Sequence, residues 1–371
     1  MFGLVLEGGG TKGAYHLGVL KAVSELGIEI SDIVGTSIGA VNGALFAQGD
    51  FDILSEIWRE ISMDKIFEIP EDIKDKNQMF DRRNISSVAN EIIKRKGLDI
   101  SPFEKLLRGV IYEDKLRRGR IDFGLVTYCL SSNEGKHMFL KDIPPGQLHD
   151  FILASCAFPG FRVRNVENKL YMDGGVVNNL PVNMLVEKGV KNIVSVEVGG
   201  FGISKKISAG GCNIFTVRCG ERLVGLLDFN QKNIENARIR GYLDAMKVFG
   251  KLSGKLYFFD TVDYFKFREK YSENILHGLE KAADFFGVEK NRKYSVEEFI
   301  KIVNKHFYNE KIRDDIMQIL KWSNSEKVAG LAKSIISSDS VMLNNKIIAD
   351  LLGDIFDAAS SIAYFNMQNI Q

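Results

Sequence analysis

LVLEGGGTKGAYHLGVLKAV, residues 4–23, is the stretch on which the fold of this 371-residue chain turns. The apolar run Leu4 to Leu6 reads as the end of a buried strand starting at Phe2. Three glycines follow, and Ala14 to Leu26 reads as a helix closed by Gly27. A strand that feeds a helix through glycines is the opening move of an α/β fold. Gly8, Gly10 and Gly13 also fit the G-x-G-x-x-G spacing of a dinucleotide loop, with an acid, Asp32, 32 − 13 = 19 residues later. The loop therefore faces either a pyrophosphate or some other anion.

The next turn separates these uses. Asp32 to Val34 reads as a short strand running into Gly35, and Ile38 to Ala47 as a helix ended by Gly49. A ribose-binding acid belongs at the carboxyl end of the second strand. Asp32 stands at the start of its strand, so it should point out of the opposite edge. The turn itself reads Gly35-Thr36-Ser37-Ile38-Gly39, a G-x-S-x-G pattern. Small residues two positions either side of a serine let strand and helix close sharply, leaving the hydroxyl exposed above the sheet. The helix N-terminus adds partial positive charge beside it. The blander use of such a serine is to cap the helix. With a nucleophile at Ser37, the amides of Gly8 to Lys12 gain a role as donors to the oxyanion of acyl transfer, which needs N–H groups about 3 Å away.

A hydroxyl needs a base. The chain has five histidines, and none makes a convincing partner. His137, His149, His277 and His306 lie in ordinary polar contexts, and His16, on the first helix, reads as a packed side chain. The segment LYMDGGVVNNLP is the better source: Asp173 ends a strand and meets Gly174 and Gly175, which present the carboxylate closely to a neighbour. D-G alone is only a turn signal. An ordinary aspartate is a weak base at neutral pH, so activation would require a short Asp–Ser contact and an apolar site that raises its pKa.

Taken in order, G-G-G-T-K-G (Gly8 to Gly13), G-T-S-I-G (Gly35 to Gly39) and D-G-G (Asp173 to Gly175) resemble the patatin-like phospholipases. A fourth block, A-S-x-x-x-P, is matched by Ala154 to Pro159. The resemblance covers about residues 3–200. It implies a three-layer α/β/α fold with a mostly parallel sheet, and calcium-independent hydrolysis of lipid acyl esters by a Ser–Asp dyad, with no cofactor and no metal. Carried over residue by residue, it makes Ser37 the nucleophile and Asp173 the base. Gly8, Gly9, Gly10 and Lys12 supply the oxyanion hole, with Gly13, Gly35, Gly39, Gly174 and Gly175 as support. The family often has arginine where Lys12 stands, but an oxyanion uses only the backbone amide. Ser155 in the fourth block receives no role beyond packing.

Alternating strand and helix signals continue to about residue 200, with strands at Phe123 to Cys129, Lys169 to Met172 and Asn192 to Val198. This alternation implies a sheet covered on both faces. Residues 50–120 read as a helical insertion or cap, and Gly199 to Gly211 as a loop. Asn213 to Arg218 and Lys255 to Phe259 read as two more strands around a helix near Gln231 to Phe249. The catalytic domain is placed at 1–260 and a helical C-terminal region, without a chemical signal, at 261–371.

A formal net charge of +1 gives no field for nucleic acid, and Lys94-Arg95-Lys96, Arg117-Arg118 and Lys205-Lys206 read as solvated surface. The four cysteines lack metal-ligand spacing. No apolar run reaches the roughly 18 residues of a membrane span, and the N-terminus lacks a leader pattern. The expected location is cytoplasmic, peripheral at membranes, with a lipid or membrane-interface substrate as partner. A C-terminal apolar stripe, Ile347, Ile348, Leu351, Leu352, Ile355, Phe356, Ala359, Ile362 and Ala363, is backed by Asp350, Asp354 and Asp357. That polar face suits packing on protein better than a lipid surface. The rival readings are an acyltransferase using the same dyad and, behind it, a dinucleotide-binding oxidoreductase.

Overall fold

Leu4, Val5 and Leu6 are fully buried because their strand, β1 (Phe2–Leu6), lies inside the sheet with a helix layer on each face. The computed structural model describes residues 1–69, 97–208, 210–221, 223–309, 323–336 and 353–368. The chain divides into two units, Met1–Val248 and Phe249–Gln371.

In the first unit β1 passes through a 3₁₀ turn at Gly10–Gly13 into α1 (Ala14–Glu25), and β2 (Ile30–Thr36) passes directly into α2 (Ile38–Ala47). Then come α3 (Phe51–Glu60), α4 (Met63–Ile66), α5 (Ser101–Val110) and α6 (Glu113–Arg118). Next in the chain are β3 (Asp122–Cys129), β4 (Glu134–Phe139), α7 (Leu148–Ser155), β5 (Arg164–Val166) and β6 (Lys169–Asp173). The unit closes with α8 (Val182–Glu187), β7 (Asn192–Glu197), β8 (Asn213–Arg218) and α9 (Gln231–Val248).

The strand order is β5-β6-β3-β2-β1-β7-β8, with β4 also paired to β3. Pairings among β3, β2, β1, β7 and β8 are parallel, and those of β4, β5 and β6 are antiparallel. The period of two along each strand separates the helix layers. Val5, Val34 and Val126 pack with Val182, Met184 and Leu185 of α8 on one face. Leu6, Ile33 and Phe123 meet Gly43 of α2 on the other. Strands buried on both sides read as unbroken apolar runs, which is why this half of the fold is visible in the sequence. The strand expected to reach Val198 stops at Glu197, because the Val198 N–H donates to the Glu7 carboxylate.

The second unit has a three-stranded sheet, order β11-β10-β9, formed by β9 (Leu252–Ser253), β10 (Phe258–Asp260) and β11 (Lys293–Tyr294). Its helices are α10 (Thr261–Lys270), α11 (Glu273–Phe285), α12 (Val296–Asn309), α13 (Asn324–Ile336) and α14 (Asp354–Gln368). The strand expected from Lys255 begins only at Phe258. The N–H groups of Lys255 and Tyr257 donate instead to the buried Glu280 carboxylate, at 2.8 and 3.0 Å, and are lost to the ladder. Of the C-terminal stripe, Ile355, Ala359 and Ile362 pack in this unit's core with Leu276 and Phe299. Asp354 and Asp357 pair with Lys281 on the outside. Ile347, Ile348, Asp350, Leu351 and Leu352 lie outside the described residues, as do Lys94 to Lys96 and the middle of the 50–120 insertion.

Candidate active site

Ser37 follows β2 with φ 55° and ψ −126°, a conformation that costs a residue with a Cβ of the order of 1–3 kcal/mol. The surrounding close contacts enforce it. A Cβ on Gly35 would stand 2.4 Å from the Gly39 backbone, and one on Gly39 would stand 2.2 Å from the Leu6 carbonyl oxygen. Strand and helix close to backbone contact, and the residue between them takes up the strain. Ser37 occupies the N-cap position of α2, yet its hydroxyl makes no capping hydrogen bond.

Ser155 fixes the strained backbone from the side. The Ser37 N–H donates to Ser155 Oγ at 2.9 Å, and that hydroxyl donates to the Val126 carbonyl at 2.6 Å. The fourth block marked Ser155 without a role, and the role appears only where the fold brings Val126 of β3 to it.

Strand register brings Asp173 to Ser37. β2 pairs with β3 up to Thr36↔Val126, and β6 pairs with β3 from Asp173↔Thr127. β4 runs along β3 from Gly124 to Cys129, so β2 and β6 both occupy the opposite edge, meeting end to end between Val126 and Thr127. Asp173 is 3% exposed. Its N–H donates to the Ala157 carbonyl at 2.9 Å, and its Oδ1 accepts the Gly175 N–H at 2.7 Å. Oδ2 is buried without a formed hydrogen bond among the described residues. Burial raises the pKa to about 6, while the neighbouring Ser37 hydroxyl and the Gly175 N–H pull it down. The hydroxyl is thus close enough to be felt by the carboxylate without a formed bond. Catalytic contacts often tighten only around substrate.

The glycine loop divides its amides. Gly8 N–H donates to the Asn179 carbonyl at 3.1 Å, Thr11 N–H to the Leu226 carbonyl at 2.9 Å and Lys12 N–H to the Gly9 carbonyl at 3.2 Å. Those of Gly9 and Gly10 have no acceptor among the described residues. Gly10 has φ 55°, and a Cβ there would stand 2.2 Å from the Leu226 carbonyl oxygen, so glycine is required. Beneath the loop, the buried Glu7 carboxylate accepts from Val198 N (2.6 Å), Gly199 N (2.9 Å) and Asn179 Nδ2 (3.2 Å). Burial raises its pKa, and the two backbone donors oppose that rise.

The other candidates are placed elsewhere. Asp32 lies at the amino end of β2 and pairs with Lys188, remote from the glycine loop and unavailable to a ribose. His16 is fully buried, contacts Asn42 Nδ2 at 3.2 Å through Nδ1, and has its pKa pushed down to about 3 by burial. That shift leaves it neutral near pH 7, and it forms no hydrogen bond with Ser37 among the described residues. His137 meets Asn178 and His149 the Ile111 carbonyl. Asn42 also accepts from Trp58 Nε1 at 3.0 Å, joining α2 to α3 under the site.

Gly10, Thr11 and Ser37 form part of the wall of a slot of about 70 Å³, whose remaining lining is mostly apolar and includes Ile38, Trp58, Phe67, Phe103, Phe161 and Phe229. Trp58, Phe67 and Phe103 come from the helical insertion. Cys156, one residue after Ser155, also lines the slot, and burial holds its thiol well above the usual thiol pKa. A strained hydroxyl, a buried carboxylate of raised pKa, two amides without acceptors and an apolar slot together suit acyl transfer from an apolar acyl group.

Residues 4–186 match the family described as patatin-like phospholipase. Lysophospholipase NTE1 of Eremothecium gossypii is 28% identical over 74% of this chain and 18% of its own length. Patatin-like phospholipase domain-containing protein 7 of Rattus norvegicus is 28% identical over 53% of this chain and 13% of its own. Lysophospholipase NTE1 of Candida albicans is 31% identical over 53% and 13%. The chain thus spans less than a fifth of the length of these relatives. The structure of VipD from Legionella pneumophila aligns over 98% of this chain and 89% of its own, with a TM-score of 0.44 and 15% identity.

Proposed function

With residues 4–186 established as a patatin-like phospholipase domain, we propose that this chain is a serine lipid acyl hydrolase. Ser37 Oγ attacks the ester carbonyl as Asp173 Oδ2 takes its proton. Of the loop amides, we assign the oxyanion to Gly9 and Gly10, because those of Gly8 and Lys12 already donate within the fold. The acyl chain lies in the slot below Trp58 and Phe161. Protonated Asp173 returns its proton to the leaving alcohol, then accepts one from the water that cleaves the acyl-enzyme.

The observation that carries this reading is the meeting of Ser37 and Asp173 on one edge of β3, the first strained and uncapped, the second buried with one oxygen unpaired. A pKa near 6 leaves the carboxylate mostly ionised at neutral pH while making it a better base than an exposed aspartate. The relatives named lysophospholipase favour a single-chain lipid ester as substrate.

The test is a phospholipid and lysophospholipid panel scored for released fatty acid, together with labelling by a fluorophosphonate. Wild type should be labelled at Ser37, and Ser37→Ala should lose label and turnover by about 10⁴-fold or more. Equal release by the two proteins would sink the reading. Adding a lipid alcohol acceptor separates hydrolysis from acyl transfer by its products.

A further inference from the structure

We propose that the loop from Gly199 to Ser208 is the surface by which this protein docks on an anionic lipid surface. The loop leaves β7 and passes beside the Asp173 turn. Ile203 N–H donates to the Gly175 carbonyl at 2.8 Å, and Asn179 N–H donates to the Ile203 carbonyl at 2.7 Å. Farther along, Asn183 Nδ2 donates to the Lys206 carbonyl at 3.0 Å and Asn183 Oδ1 accepts the Ser208 N–H at 2.9 Å. The backbone is therefore held at Ile203, in the middle of the exposed segment, and again at Lys206 and Ser208.

Those side chains face water at a cost. Phe201 is 74% exposed and Ile203 57% exposed, although they sit two residues apart on a backbone held by hydrogen bonds. Lys205 and Lys206 follow at once, both exposed, and neither has an ion-pair partner among the described residues. The charge of Lys205 reaches His137 and lowers its pKa, with burial the larger cause. Apolar side chains beside unpaired ammonium groups are complementary to acyl chains beneath anionic headgroups.

The surface is continuous with the slot. Phe201 packs edge-on against Phe158 at 6.2 Å between centroids, Phe158 against Phe161 at 5.8 Å, and Phe161 against Phe67 at 5.2 Å. Phe161 and Phe67 line the slot that holds Ser37. A row of rings thus runs from the most exposed aromatic side chain of the loop to the wall beside the nucleophile. An acyl chain drawn from a bilayer at Phe201 would stay in apolar contact along that row. The C-terminal stripe cannot serve this purpose, since its described members are buried in the second unit.

The experiment uses the full chain and vesicles of phosphatidylcholine with or without phosphatidylglycerol, read by co-sedimentation. Wild type should pellet with the anionic vesicles and far less with the neutral ones. Lys205→Glu with Lys206→Glu should weaken anionic binding roughly thirtyfold or more, and Phe201→Ser about tenfold. Both sites are exposed, and circular dichroism checks that the variants fold. Wild-type failure to pellet with anionic vesicles, or unchanged binding by both variants, overturns the assignment. Vesicle binding tests the surface alone, whereas turnover at the vesicle also rests on the hydrolase reading. A chain that binds anionic vesicles but takes no fluorophosphonate at Ser37 would refute the hydrolase and leave the surface standing.

Discussion

Two glycine-rich turns stand side by side at the carboxyl edge of the sheet, after β1 and after β2, and they use glycine in opposite ways. In the first, Gly9 and Gly10 leave amide hydrogens without acceptors, and the loop presents backbone. In the second, Gly35 and Gly39 withdraw so that a residue with a side chain is forced to φ 55°. On the proposed mechanism the first turn would stabilise charge and the second would carry the nucleophile. Similar composition does not imply similar function; what separates the turns is whether the residue at the bend has a side chain.

The largest effect that sharpens this contrast concerns the partner of the second turn. Asp173→Asn should lower kcat by about 10⁴-fold while raising stability. The sign follows from burial. The folded carboxyl holds its proton up to a pKa of about 6, against about 4 in the unfolded chain. Folding is therefore penalised increasingly as pH rises from about 4 to about 6, and the cost above that is about 3 kcal/mol. Asparagine removes the charge and keeps an acceptor for the Gly175 N–H. Wild-type kcat should rise with pH through an inflection near 6 and then level off. A pH–rate profile without that inflection, or a melting temperature lowered by Asp173→Asn, would remove the carboxylate from the role assigned here.

Breaking the first turn should cost less. Gly10→Ala places a Cβ 2.2 Å from the Leu226 carbonyl oxygen and must shift the loop. We expect kcat to fall about 100-fold with KM changed far less, because the displaced amides would act only in the transition state. Steady-state kinetics on a soluble ester decide it; a fall confined to KM would assign the loop to substrate binding instead.

The smallest effect tests the support of the second turn. Ser155→Ala leaves the Ser37 N–H and the Val126 carbonyl without their present partner. Denaturant titration should show a loss of about 1–3 kcal/mol, with turnover down about tenfold. Full stability in that variant would mean the bridge does not hold the strained residue.

Much of this was readable in advance. Buried strands such as Phe2–Leu6 and the Phe123–Val126 part of β3 carry no polar side chain, and the glycines at 8–13, 35 and 39 announce their turns. What could not be read depends on contacts between distant segments. β4 is half exposed and polar, with no apolar run to reveal it. Ser155 acquires its role only because β3 carries Val126 to it. The amides of Gly8 and Lys12 look equivalent to those of Gly9 and Gly10 until Asn179 and the turn geometry engage them.

The shared edge of β3 also has a consequence for how the chain comes to life during synthesis. Ser37 is made 173 − 37 = 136 residues before Asp173, and its elbow can close as soon as β1, β2 and α2 are present. The carboxylate arrives only when β6 zips antiparallel onto the last residues of β3, a closure with a long loop to pay for. On the proposed mechanism, a nascent or truncated chain ending before residue 173 would carry the Ser37 turn without the carboxylate that serves it.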